Sequence, residues 1–288
     1  MTSNFLAVSP EHRAGYLLLA LLLAILVAPL LATQDPTDLG RLDLMAAGQP
    51  PWWQEGGSLS YPLGTDGQGR CILSAILYGL RLSLLVGATP VLLSLTLGTL
   101  VGLWAGAAGG LAEQLAMRLA DTAVALHPVL VALILAAVLR QFTPVEWNQE
   151  AGIATVIVAL AVVGWGPYAC TARAMTHVEE RLPYVQAARL MGQSRRRVLI
   201  GHVLPNIAPA LTALAIAQLA QAVFAESTLS YLGTGLPPTL PSLGGLIRSG
   251  TDDLLSGGWW TSVLPALALL ALIGTIGWIA DRAPRHDA

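Results

Sequence analysis

Long uncharged apolar runs alternate with short polar segments along this chain, and such runs occur six times. A helix needs about 20 apolar residues to cross a hydrocarbon core of about 30 Å. The pattern therefore predicts an all-α polytopic membrane protein with six transmembrane helices. They are expected at residues 15–33, 82–106, 120–139, 152–171, 207–229 and 260–280. The last five would form a five-helix core at 82–280, preceded by a long outside loop at 34–81.

The first apolar run has a second interpretation, because a cleaved signal peptide is also apolar. Residues 16–32 form an uncharged run of 17, which is longer than the usual hydrophobic region of a signal peptide. A cleavage site after Ala32 would have Leu30 where a small residue is preferred. These features favour an uncleaved anchor, with residues 1–14 forming a cytoplasmic N-terminus.

Composition supports lipid as the main solvent of the chain. Of 288 residues, 55% are hydrophobic and only 11% are charged, whereas soluble domains are about 25% charged. This excludes an ordinary soluble enzyme and a disordered or fibrous protein. A net charge of −2 gives no field that would attract nucleic acid. Cys71 and Cys170 lie far apart and indicate neither a disulfide framework nor a zinc site.

The arginines set the predicted orientation. With the N-terminus inside, ten of the fifteen arginines fall on the cytoplasmic side and five outside, as the positive-inside rule requires. Both termini, including the tail at 281–288, are then cytoplasmic. Six arginines lie between Arg173 and Arg197, within a cytoplasmic loop at 172–206.

This loop contains a predicted short helix. Pro183 fits a first helical turn, and Gly192 fits a C-cap with positive φ. An apolar stripe at helical spacing is expected from Tyr184, Ala187, Ala188 and Met191. Physical chemistry leaves two interpretations open: a helix lying on the membrane surface, or a docking helix that inserts an apolar knob into a soluble partner.

The same segment resembles the EAA loop of ABC-importer permeases, through Gln186-Ala187-Ala188, Gly192 and Leu204-Pro205. Gln186 stands where that motif has glutamate. Other segments are similar to the dipeptide/oligopeptide/nickel subfamily, at residues 61–66, 78–84 and 225–233. The resemblance extends from about residue 62 to residue 280.

The resemblance implies that the short helix is a coupling helix seated in a cleft of an ATPase subunit. Its docking residues would be Tyr184, Gln186, Ala187, Ala188, Met191 and Gly192. The implied partners are a second homologous permease, two ABC ATPases and an extracytoplasmic solute-binding protein. ATP and Mg²⁺ would bind to the ATPases, since this sequence contains no P-loop, and no cofactor is expected here. The implied cargo is a peptide or a nickel-type chelate, crossing the bacterial inner membrane.

Polar residues within the predicted spans are candidates for lining the translocation path. They are Glu226, Gln218 and His127. Glu226 and Gln218 lie eight residues apart and so share one ridge of their helix. The alternatives are an interhelical hydrogen bond for Glu226 and an ordinary hydrogen-bonded histidine for His127. The four-residue spacing of Gly98, Gly102 and Gly106 predicts a close-packing face.

Two other functions are compatible with a polytopic membrane protein. A secondary transporter would need no ATPase and commonly shows inverted repeats or ion-coupling acids at the bilayer midplane. The sequence contains no evident repeat, and its predicted spans contain two acids, Asp121 and Glu226, neither at the middle of its span, which disfavours this alternative. A membrane-embedded enzyme would need a reactive constellation, and no common catalytic motif occurs in the sequence. The chain is therefore not expected to be an enzyme.

Overall fold

The computed structural model describes residues 21, 23, 25, 27–36, 38, 43–142, 148–237, 239–254 and 256–282. Nine of the nineteen residues of the predicted first span lie outside the described residues, and the others do not test the choice between anchor and signal peptide. The tail beyond residue 282 also lies outside them. Within the first span, Ile25 is buried and packs into a core cluster formed mainly by later helices.

Helices make up the architecture of the described residues, in agreement with the predicted all-α class. In chain order they are α1 (Ile72–Ala108), α2 (Gly110–Ala125), α3 (Pro128–Phe142), α4 (Asn148–Glu179), α5 (Pro183–Leu190), α6 (Arg195–Val198), α7 (Leu204–Tyr231), α8 (Leu243–Leu254) and α9 (Trp260–Asp281). A π-helical segment at Leu199–Val203 joins α6 to α7, and 3₁₀ turns occur at Ala28–Leu31 and Leu44–Ala46.

Among the described residues, four helices are long and apolar enough to cross a membrane: Ile72–Ala108, Gly152–Glu179, Arg195–Tyr231 and Trp260–Asp281. They contain four of the predicted spans. The first and third have 37 residues each, or about 55 Å of helix at 1.5 Å per residue. Because a hydrocarbon core is only about 30 Å thick, these helices extend well beyond the lipid tails.

The predicted span at 120–139 is not one continuous helix. The helix breaks between α2 and α3, and these two helices are bent by 92°. Pro128 causes the break, because its ring disfavours helical geometry in the residue before it and removes one backbone donor. The carbonyl of His127 instead starts α3 by accepting the N–H groups of Leu130 and Val131, at 3.1 and 3.2 Å. Together the bent pair could supply a fifth span.

The glycine stripe on α1 forms a close helix contact, as predicted. A Cβ added to Gly98 would lie 2.4 Å from the carbonyl oxygen of Trp165, and one on Gly102 would lie 2.4 Å from that of Ala169. Both carbonyls belong to α4, so the backbones of α1 and α4 approach each other directly. Glycine is required here because any side chain would hold the two helices apart.

Helix α8 was not predicted, since residues 230–259 were expected to form a loop rich in glycine and proline. It packs against α7 and α9, where a Cβ on Gly244 would lie 2.0 Å from the carbonyl oxygen of Ser227. The segment before α1 covers the same end of the bundle. Trp260 Nε1 donates a hydrogen bond of 3.1 Å to the carbonyl of Thr65. This end lies at the opposite side of the bundle from α5.

Candidate functional site

The short helix α5 lies across the ends of α4 and α7, and the structure confirms its prediction. It runs from Pro183, at its first turn, to Leu190. Gly192 follows with φ +80°, the left-handed conformation expected of a glycine after a helix. The backbone preferences of two residues therefore explain where the helix starts and ends: Pro183 at its first turn and Gly192 just after its last.

One side of α5 is buried within the chain. Val185 is 0% exposed and Ala188 is 2% exposed. Both pack into an apolar cluster whose other members are Leu103, Tyr168, Ala172, Val198, Val203, Ile207 and Leu211. Ala188 is thus not on the surface with the rest of the predicted stripe. The prediction of one apolar stripe that includes Ala188 is therefore wrong. Residues three apart lie on the same side of a helix, and here Val185 and Ala188 form the side that packs against the protein's own core.

The opposite side of α5 is exposed and ends in a bare apolar tip. Leu190 is 89% exposed and Met191 is 73% exposed. Gln186, Ala187 and Gly192 are exposed beside them. Two large apolar side chains projecting from a surface next to each other are typical of a protein contact site. We call Leu190 and Met191 the α5 tip.

A first polar clamp joins the start of α5 to both neighbouring helices. Tyr184 Oη donates a hydrogen bond to the carboxylate of Glu179, at the end of α4. Asn206 Nδ2, near the start of α7, donates to Tyr184 Oη at 2.6 Å and to Glu179 Oε2 at 3.4 Å. Desolvation and the bond to Glu179 raise the pKa of Tyr184, which keeps its hydroxyl a donor at neutral pH.

A second polar clamp joins the end of α5 to the end of α4. Arg189 forms an ion pair with Glu180, and Arg195 NH2 lies 3.9 Å from the same carboxylate. Gln186 Nε2 also donates a 3.2 Å hydrogen bond to the carbonyl of Arg181. An ionised glutamate has no proton to donate, so the glutamine that replaces the motif's glutamate makes a bond that glutamate could not.

A cavity of 630 Å³ lies between α1, α2, α3, α4 and α7. Its polar lining includes Gln218 and Gln221 of α7 and His127 at the break between α2 and α3. Pro90 inside α1, Pro167 inside α4 and Pro128 at the start of α3 also line it. The structure thus brings two of the predicted path residues, His127 and Gln218, to one cavity. Gln221 was missed because helical geometry placed it away from Glu226.

Glu226 occupies a different place and does not line this cavity. Its carboxylate is 0% exposed and accepts hydrogen bonds from Ser230 at 2.8 Å and Ser227 at 3.3 Å. Ser83 of α1 also faces it. Eight helical residues place Gln218 about 12 Å away along the axis. Both serine donors belong to α7 itself, so these hydrogen bonds lie within one helix, unlike the interhelical bond that the sequence left open as the alternative.

We therefore expect Glu226→Ala to destabilise the protein rather than to alter cargo selection. Removing the carboxylate leaves buried serine hydroxyls without a partner, which costs about 1–3 kcal/mol for each group. Thermal unfolding in detergent should show a lower midpoint for Glu226→Ala. Glu226→Gln keeps an acceptor oxygen and serves as the matched variant, with a smaller change. Equal midpoints for Glu226→Ala and the unchanged protein would contradict this structural role.

Comparisons with known proteins identify the family of this chain. The chain is 35% identical over 275 residues to the di/tripeptide transport system permease protein DppC of Pseudomonas aeruginosa, covering 94% of this chain and 86% of that protein. It is 32% identical to the dipeptide transport system permease protein DppC of Haemophilus influenzae, covering 92% of this chain and 85% of that protein. It is 30% identical to the glutathione transport system permease protein GsiD of Pectobacterium atrosepticum, covering 79% and 72%. Residues 98–285 match the sequence model of one family. The chain belongs to that family, the inner membrane components of binding-protein-dependent transport systems.

Proposed function

We propose that this chain is the membrane-spanning permease subunit of an ATP-driven ABC importer and forms half of a translocation path for short peptides. The observation that carries the proposal is the exposed α5 tip on a helix that two polar clamps hold against α4 and α7. A second, homologous permease completes the path. The α5 end faces the cytoplasm, where the arginine-rich loop is expected.

The ATPase subunits drive transport by moving α5. Two ABC ATPase subunits bind ATP and Mg²⁺, and one of them receives the α5 tip in a cleft. Movement of that ATPase displaces α5, and the clamps pass the displacement to α4 and α7. Both helices contribute cavity walls, through Pro167 of α4 and Gln218 of α7. The cavity therefore changes shape when the ATPases close, which switches access from one side of the membrane to the other.

The chemistry of the cavity suits peptides. The side-chain amides of Gln218 and Gln221 can donate and accept hydrogen bonds, as the peptide group requires. Within the part of the chain that the structure describes, the lining contains no carboxylate, arginine or lysine, so this lining does not select for one sign of cargo charge. The named transport systems of the relatives carry dipeptides, tripeptides and glutathione. Peptides are thus favoured over a nickel-type chelate, and an extracytoplasmic binding protein selects among them.

Disulfide or maleimide crosslinking from α5 tests the proposal. In a chain whose native cysteines Cys71 and Cys170 are replaced by alanine, we expect Met191→Cys to crosslink to the ATPase subunit within the active complex. The reason is that Met191 projects from the α5 tip. The crosslinked product is identified by mass and by peptide sequencing.

Ala188→Cys is the matched control, three residues away on the same helix. Ala188 is buried against the chain's own core, so its cysteine should stay uncrosslinked. Absence of a Met191→Cys product in a complex that hydrolyses ATP would refute docking through α5. Stronger crosslinking from position 188 than from position 191 would show that the opposite face docks.

A further inference from the structure

The exposed surface around the α5 tip carries positive charge that nothing in the described part of the chain neutralises. Arg181, Arg196 and Arg197 are exposed. Among the described residues, none of these three forms an ion pair. They flank the tip on both sides in sequence, before α5 and within α6.

The acidic residues of the same region face inward. Glu179 accepts hydrogen bonds from Tyr184 and Asn206, and Glu180 pairs with Arg189 and Arg195. Glu113 is held by Arg173 and His177 at 2.6 and 2.7 Å. These three acids all bond to residues of the chain itself. The exposed surface of this region therefore carries the apolar α5 tip and arginines without an acidic partner among the described residues. The neutral Gln186, in the place of the motif's glutamate, removes the one acid that α5 would have carried.

We infer that the partner surface for α5 is an apolar pocket with an acidic rim. Leu190 and Met191 insert into the apolar floor of this pocket. The carboxylates at its rim pair with Arg181, Arg196 and Arg197. The partner is thus an ATPase subunit with an excess of Asp and Glu around its docking cleft. This inference rests on the proposed function and adds the charge of the partner, which explains how this permease would select its own ATPase.

The geometry favours a protein over lipid headgroups as the source of that negative charge. Helix α4 continues eight residues beyond the predicted end of its span at residue 171 and ends at Glu179. Eight residues add about 12 Å of helix, whereas the headgroup layer is only about 5–8 Å thick on each side. Helix α5 follows that extension, so with a span that ends at residue 171 we expect the arginines that flank α5 beyond the layer in which lipid phosphates sit.

The test measures how salt and charge affect ATPase binding. The full chain is purified from its native membranes with the P-loop ATPase subunits that accompany it, and the subunits are released and rebound at increasing NaCl. We expect wild-type affinity to fall between 0.05 and 0.5 M NaCl, since the screening length shrinks from about 10 Å at 0.1 M to about 3 Å at 1 M. The triple variant R181Q/R196Q/R197Q should bind about tenfold more weakly at low salt, with a flatter salt dependence.

Arg282→Gln is the matched control. Arg282 lies at the same end of the bundle, where its guanidinium stacks 3.6 Å from the Trp278 ring centre, and its loss should leave affinity unchanged. Unaltered affinity and salt dependence in the triple variant would overturn the acidic rim. So would a triple variant that loses binding only to anionic phosphatidylglycerol vesicles. If Leu190→Asp also leaves ATPase binding unchanged, docking through α5 itself is wrong, which separates the two failures.

Discussion

Replacing Gly102 by leucine should prevent α1 from packing against α4 and leave little folded protein. A Cβ at this position would lie 2.4 Å from the carbonyl oxygen of Ala169 and 2.7 Å from Cβ of Ala172. Neither atom can move away alone, because one belongs to the backbone of α4 and the other is bound directly to it. Overpacking a core costs about 1–3 kcal/mol, and occasionally more. We expect at least about 3 kcal/mol for a leucine here, measured by thermal unfolding and by the monodisperse fraction in mild detergent.

Gly274→Leu provides the control within the same bundle. Gly274 lies on α9, and no atom lies within 4 Å of the Cβ that it would gain. Its leucine variant should therefore unfold at the wild-type temperature, so that any loss at Gly102 reflects contact rather than glycine replacement in general. A Gly102→Leu protein as stable as Gly274→Leu would show that α1 and α4 are not closely packed.

The sequence predicted those parts of the fold that depend on local pattern. Apolar runs identified the positions of α1, α4, α7 and α9, because lipid requires long uninterrupted helices. The spacing of Gly98 and Gly102 predicted the α1–α4 contact. The sequence did not predict how sharply the chain bends at Pro128. A proline can either kink a helix or end it, and tertiary packing decides between these outcomes. Helix α8 was not predicted because its glycines do not favour a helix. Their presence is explained by close contact with α7 and α9.

Helix α5 was predictable in extent and less so in orientation. Pro183 and Gly192 mark its ends through backbone preferences alone. Which face turns outward depends on the apolar cluster from α1, α4 and α7, and these distant contacts cannot be read from an eight-residue segment. The clamp formed by Tyr184, Glu179 and Asn206 was not predicted, because it also depends on contacts between residues far apart in sequence. Asn206 lies 27 residues from Glu179.

The double substitution Leu190→Asp with Met191→Asp should abolish ATPase attachment while leaving the membrane bundle intact. Burying a leucine or methionine contributes about 1.5–3 kcal/mol, and an aspartate in an apolar pocket is costly unless it is paired. We therefore expect ATPase affinity to fall by at least about 100-fold, measured with the purified subunits. Because both side chains are exposed in the permease, its own unfolding temperature should be unchanged.

Leu59→Asp is the matched control for adding a charge at an exposed leucine. Leu59 is 80% exposed in the segment that precedes α1, at the opposite end of the bundle from α5. This variant should bind the ATPases with wild-type affinity. Equal weakening by Leu59→Asp would trace the effect to general charge or folding, and would remove the support that the double variant gives to docking at the α5 tip.

The central claim, that ATPases drive this chain through the α5 tip, is tested most directly by peptide uptake. The complete complex is reconstituted in vesicles with its binding protein, and entry of a labelled dipeptide is followed with an ionophore present to abolish ion gradients. The account predicts uptake that requires ATP, survives the ionophore, and is lost in the Leu190→Asp, Met191→Asp variant. Uptake by this chain without ATPase subunits, driven by an ion gradient, would contradict the account, as would wild-type uptake by the double variant.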